Sequence, residues 1–349
     1  MQGALKAIEM SSDPTVSSST PTGRGRNILL RLWHWLRVAI VLGMLAGLVV
    51  IAKPSRLWQT IASAQPVWVL AVAPILCATM CDSFKLYCLA RPVGFKGGWW
   101  SVVQTNLVVN FVSQFMPGTI GGGAVAWWRL SHADNLRAQM FTALGLNTVL
   151  KLVVIGGAGG LALALDAQTV GPYHVWTAPL LAVSVLPLGL YLLMVFTPLA
   201  TWLKRSHAVM TGHFLPLKVH DAIRKVLESV ESYRGAWPSA LMALALGLAR
   251  LLVGVWVPVF CLRAVGAPSL GYVRLLWMSC TVEVAGMIPL TLSGWGLPQV
   301  TGVALLAMYG VTTGQAVAAV ILSVAAQLPV YLAGAGILLS EAVLRKRTA

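Results

Sequence analysis

Charge is scarce in this chain. Only 10% of its 349 residues are charged, with 10 Asp and Glu against 25 Lys and Arg. Soluble domains carry about 25% charged residues. No polar stretch between the apolar runs is long enough to bury a core of its own, so a separate soluble enzyme domain is not expected. The groups that enzymes assemble are missing too, with no carboxylate pair, no nucleophile–histidine set and no metal-ligand cluster in the sequence. His207, His213 and His220 share one polar loop and read as solvated surface. Cys77, Cys81 and Cys88 share one helix face with no histidine nearby and read as small apolar packing. Neither catalytic residues nor a cofactor or metal are assigned, and the chain is read as a non-enzyme.

Hydrophobic residues fill the gap at 58%, with a mean hydropathy of +0.79. Six runs reach the roughly 20 residues that a helix needs to cross the hydrocarbon: Trp33–Ala52, Pro66–Ala90, Phe141–Leu165, Trp176–Phe196, Trp237–Gly266 and Gln315–Leu339. Trp33–Ala52 follows several arginines without a small-residue cleavage site and reads as a retained span. Residues 1–27 are rich in Ser, Thr, Pro and Gly and read as a disordered tail; residues 28–345 read as one integral membrane domain. The net charge of +15 does not point to nucleic acid, because the basic residues sit in tails and loops beside apolar spans.

Two further apolar stretches, Trp99–Met116 and Val273–Thr291, end in related breaks. Met116-Pro117-Gly118-Thr119-Ile120-Gly121-Gly122 recurs as Ile288-Pro289-Leu290-Thr291-Leu292-Ser293-Gly294. Proline removes a backbone donor and glycine frees the backbone, so each copy should interrupt a helix. Matching interruptions in two halves of a membrane protein are a sequence pointer to a transport site.

The positions of Lys and Arg set the threading. The tail with Lys6, Arg24, Arg26, Arg31 and Arg37, the turn with Lys85, Arg91 and Lys96, the loop 197–236 with Lys204, Arg205, Lys218, Arg224, Lys225 and Arg234, and the terminal Arg345-Lys346-Arg347 all belong inside. Residues 166–175 carry neither Lys nor Arg and belong outside. Eight simple crossings violate this pattern. Six crossings plus two re-entrant hairpins, over 99–130 and 273–309, satisfy it and place both termini in the cytoplasm. The expected fold is therefore an all-α polytopic membrane protein of eight apolar segments, in two inverted-topology halves at 29–165 and 173–341.

Asn106, Asn110, Ser113 and Gln114 form a polar stripe on the first hairpin arm. It lines a cavity or ties helices together, and the sequence leaves both readings open. Gly121-Gly122-Gly123 and Gly294-Trp295-Gly296 are read as half-helix starts, where free N–H groups attract an anion; tight turns are the plain alternative. Lys151 and Arg250 lie mid-span and Glu283 lies within the second hairpin. Charges at such depth point to function. Glu283 is expected to pair with Arg250, leaving Lys151 and Arg129 for an anionic ligand; purely structural ion pairs are the alternative. The candidate substrate-binding set is Pro117, Gly121, Gly122, Gly123, Arg129, Lys151, Arg250, Glu283, Pro289, Gly294, Trp295 and Gly296. Gly156-Gly157-Ala158-Gly159-Gly160 reads as close helix packing.

Phe115 to Gly122 followed by Trp127-Trp128-Arg129-Leu130, and Ile288 to Gly296 leading to Tyr309-Gly310-Val311, resemble the two signatures of the lysylphosphatidylglycerol synthase transmembrane (flippase-like) family. The resemblance covers roughly residues 30–340. It implies a bacterial inner-membrane protein that moves or handles lipids, anionic or polyisoprenoid-type, with a hopanoid-associated branch among the family's members. The alternative it leaves is a membrane subunit or scaffold for a separate soluble transferase of aminoacyl- or glycosyl-lipid synthesis, docked through loop 197–236. Gly123 and Ala126 stand where the family often has an acid and an arginine, and Pro298-Gln299 where an Arg-Glu pair is common. The resemblance thus implies the fold and a divergent substrate, not an inherited charged site.

Overall fold

The computed structural model describes residues 54–114, 118–134, 136–166, 235–287 and 296–348, with isolated positions 50, 179, 182 and 233. All of them fall in the compact unit Val41–Ala349. Every regular element among them is helical. In chain order they are α1 (Pro54–Ala62), α2 (Val72–Ala90, entered through a 3-10 turn at Pro66–Ala71), α3 (Trp99–Ser113), α4 (Gly118–Asp134), α5 (Arg137–Leu165), α6 (Trp237–Gly254), α7 (Trp256–Ala264), α8 (Tyr272–Met287), α9 (Leu297–Ala307) and α10 (Thr313–Thr348).

Four helical segments are long and apolar enough to cross a membrane: Pro66–Val93, Arg137–Leu165, Trp237–Ala264 and Thr313–Leu344. They coincide with four of the six spans read from the sequence. The other two, Trp33–Ala52 and Trp176–Phe196, fall almost wholly outside the described residues, as do the polar tail and most of the basic loop. Large apolar side chains such as Phe141, Leu161, Leu332 and Leu339 remain more than 60% exposed on these spans. That surface suits acyl chains and would be costly against water.

Two interrupted stretches fall where the repeated motif lies. α3 and α4 pack on each other across a break after Gln114, and α8 and α9 across a break after Met287. Pro117, Pro289, Gly294 and Trp295 lie outside the described residues. The arms of the first pair meet closely at Gly122, where an added Cβ would run into the Ser113 hydroxyl and approach Val109. At the far end of the second pair, Gly310 (φ 78°) turns the chain out of α9, and the Val311 N–H returns to the Leu306 carbonyl at 3.3 Å. A left-handed residue followed by this back-bond closes a helix, and glycine adopts it without a Cβ penalty.

Packing between elements is reciprocal. α2 lies along α6; α3 packs on α10; α8 packs on α5. Exchanging the first set (α2, α3, α5) for the second (α6, α8, α10) leaves this pattern unchanged. The closest approach is at Gly334 of α10, where a Cβ would strike the backbone of Leu107 in α3. The glycine run in α5 serves packing as read from the sequence, with Gly156, Gly159 and Gly160 all buried.

The main core lies among α5, α7, α8, α9 and α10, around Ile155, Leu163, Cys261, Trp277 and Leu322. A second cluster, including Leu89, Val102, Met140 and Tyr233, joins α2, α3 and α5. The Tyr233 hydroxyl donates to the Leu89 carbonyl at 2.5 Å, so the segment before α6 is tied to the end of α2.

Candidate functional site

Four helices bring five charged side chains together. Asp82 and Lys85 come from α2, Lys151 from α5, Arg250 from α6 and Glu283 from α8. Arg250 Nε lies 2.9 Å from Asp82 Oδ2, and its Nη1 reaches Glu283 Oε1 at 2.6 Å and Oε2 at 2.9 Å. Lys85 Nζ donates to Asp82 Oδ1 at 2.8 Å, and Lys151 Nζ lies 3.3 Å from Glu283 Oε2. Three cations and two carboxylates leave one positive charge. Such pairs resist desolvation because each group has a hydrogen-bonded counterion, and removing one member strands the others.

The network borders a cavity of about 440 Å³. Asp82, Arg250 and Glu283 line it together with uncharged polar groups: Thr79, Asn110, Ser279, Gln299, Ser323 and Gln327. Hydrocarbon walls complete it, among them Ile75, Leu251, Met278, Leu306 and Val324. Side chains from both packing sets therefore meet at one space. Its acids and arginine already satisfy one another, so an incoming anion must compete with Asp82 and Glu283 for Arg250.

The expected Glu283–Arg250 pair is present. The accompanying expectation, that Lys151 and Arg129 remain for a ligand, needs correction. Lys151 pairs with Glu283 and Arg129 with Glu341, through Nη1–Oε2 at 2.9 Å and Nη2–Oε1 at 2.6 Å. Arg129 sits near the end of α4 and does not line the cavity. A matching pair holds the second interrupted stretch. Arg274 of α8 reaches Asp166, just beyond α5, through Nε at 3.1 Å and Nη2 at 3.0 Å. Trp277 Nε1 and the Tyr309 hydroxyl also donate to Asp166, at 3.1 and 3.3 Å, and the Arg274 guanidinium stacks 4.3 Å from the Tyr309 ring centre.

The glycine readings also change. α4 begins at Gly118, so Gly121, Gly122 and Gly123 lie within the helix rather than at its start. Only the first few N–H groups of a helix lack an internal partner; Gly122 serves the close approach to α3 instead. Gly296 does stand at the start of α9, with φ 99°, but its N–H is taken by Gln299 Oε1 at 2.7 Å. The residue found where the family has a charged pair thus caps the helix itself.

The polar stripe on α3 divides between its two readings. Asn106 Nδ2 donates to Ser83 Oγ at 2.9 Å and to the Thr79 carbonyl at 3.3 Å, tying α3 to α2. Asn110, one turn on, lines the cavity. Asp82 as a partner of Arg250, and Ser323 and Gln327 on the final span, were not picked out from the sequence. The latter two carried a readable signal, since polar residues four apart inside an apolar span share one face.

A family model described as lysylphosphatidylglycerol synthase TM region matches residues 34–334. No curated protein matches the chain.

Proposed function

The chain belongs to the lysylphosphatidylglycerol synthase TM region family, and from that premise we propose that it is a flippase-like lipid translocator whose cavity receives an anionic lipid headgroup. It is a multi-pass membrane protein, and membrane lipids are its expected partners. The observation that carries the reading is the Arg250 network beside the cavity. Arg250 faces two carboxylates and Glu283 faces two cations. Groups with two partners can exchange one for a ligand without being stranded. A headgroup phosphate or similar anion takes the place of Asp82 or Glu283 on Arg250, and Lys151 holds the Glu283 carboxylate as it turns away.

In this reading α3/α4 and α8/α9 are re-entrant hairpins of two inverted halves, with both termini in the cytoplasm of a bacterial cell. Their alternate rocking opens the cavity to one leaflet and then the other. The reciprocal packing of α3 on α10 and α8 on α5 supports that symmetry. The protein moves its lipid without altering it.

The test is reconstitution into vesicles with fluorescent lipids that differ only in headgroup. Movement between leaflets should depend on headgroup charge and fall at least tenfold in Arg250→Ala. Equal rates for all headgroups, unaffected by that substitution, would contradict the reading.

A further inference from the structure

A second concavity lies on the outer side of the seam where α2 meets α6 and α7. This groove, of about 530 Å³, is apolar, with Leu70, Pro74 and Cys77 on one wall and Val253, Trp256 and Phe260 on the other. It shares its two walls with the cavity. Ile75 and Ala78 face the cavity beside Pro74 and Cys77, and Gly254 and Val257 face it beside Val253 and Trp256. Consecutive residues on each wall thus look into the two spaces.

The wall between them is short of side-chain bulk at one point. The helix is interrupted at Val255, and Pro258 has no N–H to give to the Gly254 carbonyl. A Cβ placed on Gly254 would meet no atom within 4 Å. The groove also starts close to the charges. By a 1.5 Å rise per residue, Val253 stands about 4.5 Å beyond Arg250 along the helix, and Phe260 about 15 Å beyond. The distance from Arg250 to Phe260 is thus about half of the roughly 30 Å hydrocarbon core, a length that one acyl chain can cover. Trp256 packs against Phe260 and Tyr272, giving the outer wall an aromatic face.

We infer that this groove is an acyl-chain subsite: one hydrocarbon chain of a lipid lies in it while the same lipid's anionic headgroup occupies the cavity at Arg250. The inference rests on the headgroup reading of the cavity and adds where one chain of the transported lipid is held. The seam at Gly254 is where headgroup and chain connect.

The full-length protein in phosphatidylcholine nanodiscs can be labelled with phosphatidic acid carrying a diazirine in one acyl chain, and the labelled peptides mapped. Saturable labelling of segments 70–77 and 253–260 is expected. It should fall at least fivefold in Ala73→Phe, or in Cys77→Trp should the first variant misfold; both positions are exposed, so neither substitution intrudes on the core. It should fall equally in Arg250→Gln. Binding of glycerol 3-phosphate, which has the headgroup but no chain, should drop only in Arg250→Gln. Unsaturable labelling spread over the outer face would mean annular lipid only and overturn the subsite. Saturable groove labelling indifferent to Arg250→Gln would overturn the claim that one lipid spans both sites. Saturable labelling elsewhere, with glycerol 3-phosphate binding still lost in Arg250→Gln, would remove the groove and keep the cavity. Glycerol 3-phosphate binding indifferent to Arg250→Gln would remove the cavity reading and the inference with it.

Discussion

Arg250 and Arg129 are both arginines held by carboxylates from distant parts of the chain, yet they sit in opposite kinds of arrangement. Arg250 lies between Asp82 and Glu283 at the edge of a cavity, and Glu283 is shared with Lys151. Arg129 grips Glu341 with both arms of its guanidinium, and Arg274 grips Asp166 through two nitrogens while Trp277 and Tyr309 donate to the same carboxylate. Shared charges can be redistributed when an anion arrives. An arginine held by two nitrogens on a single carboxylate has a fixed geometry and gains little by letting go. The comparison teaches that burial of charge alone need not mark a binding site in this bundle; on the proposed function, competition for partners does.

The comparison can be broken most forcefully at its centre. Arg250→Ala leaves Asp82 and Glu283 facing each other across the cavity, with only lysines to balance them. Lipid movement should fall at least tenfold, and stability should drop by up to about 3 kcal/mol, the low end for breaking a buried pair because the cavity admits water; thermal melting measures the second effect. Glu283→Gln raises the net charge of the network from one to two and frees one side of Arg250. Inorganic phosphate or an anionic headgroup should then bind several-fold tighter while turnover slows, read by equilibrium binding beside the vesicle assay. Lys151→Ala removes the most exposed cation, at 35% exposure and a single 3.3 Å contact. A two- to fivefold loss of transport with little change in melting temperature is expected.

Smallest should be the effect of the peripheral pairs on binding. Arg129→Ala and Arg274→Ala should leave anion affinity within about twofold and cost roughly 1 kcal/mol of stability each, in the range of partly exposed pairs. Their effect should appear in access instead. If the two pairs fasten opposite ends of the bundle, a thiol reagent should reach a cysteine placed at Ser279 faster from one side in the first variant and from the other side in the second. A large loss of anion affinity in either variant would dissolve the distinction between centre and periphery.

Much of this fold was legible because the membrane restricts the chain so strongly. A span must be apolar for about 20 residues, so four described crossings were visible as runs. The Arg250–Glu283 pair was legible for a related reason, because a charge at depth must have a partner. The identity of further partners was not. Asp82 reaches Arg250 only through the packing of α2 on α6, and Glu341 reaches Arg129 only because α10 and α4 both pack on α3; no local pattern encodes either. The first of the two expected half-helix starts failed by about one turn: α4 is helical from Gly118 onward, which draws Gly121–Gly123 inside. Gly122 serves a close approach to Ser113, which looks the same in sequence as an anion cradle.

The central claim is that the shared network, not the packed helices around it, recognises the lipid. The most direct test is leaflet-to-leaflet movement of an anionic fluorescent lipid in vesicles by the Lys151→Ala, Arg250→Ala double variant, at protein levels matched to the unaltered chain. The account predicts movement near the protein-free background with membrane insertion intact. Movement at the unaltered rate would contradict it and leave the charges as structural ion pairs.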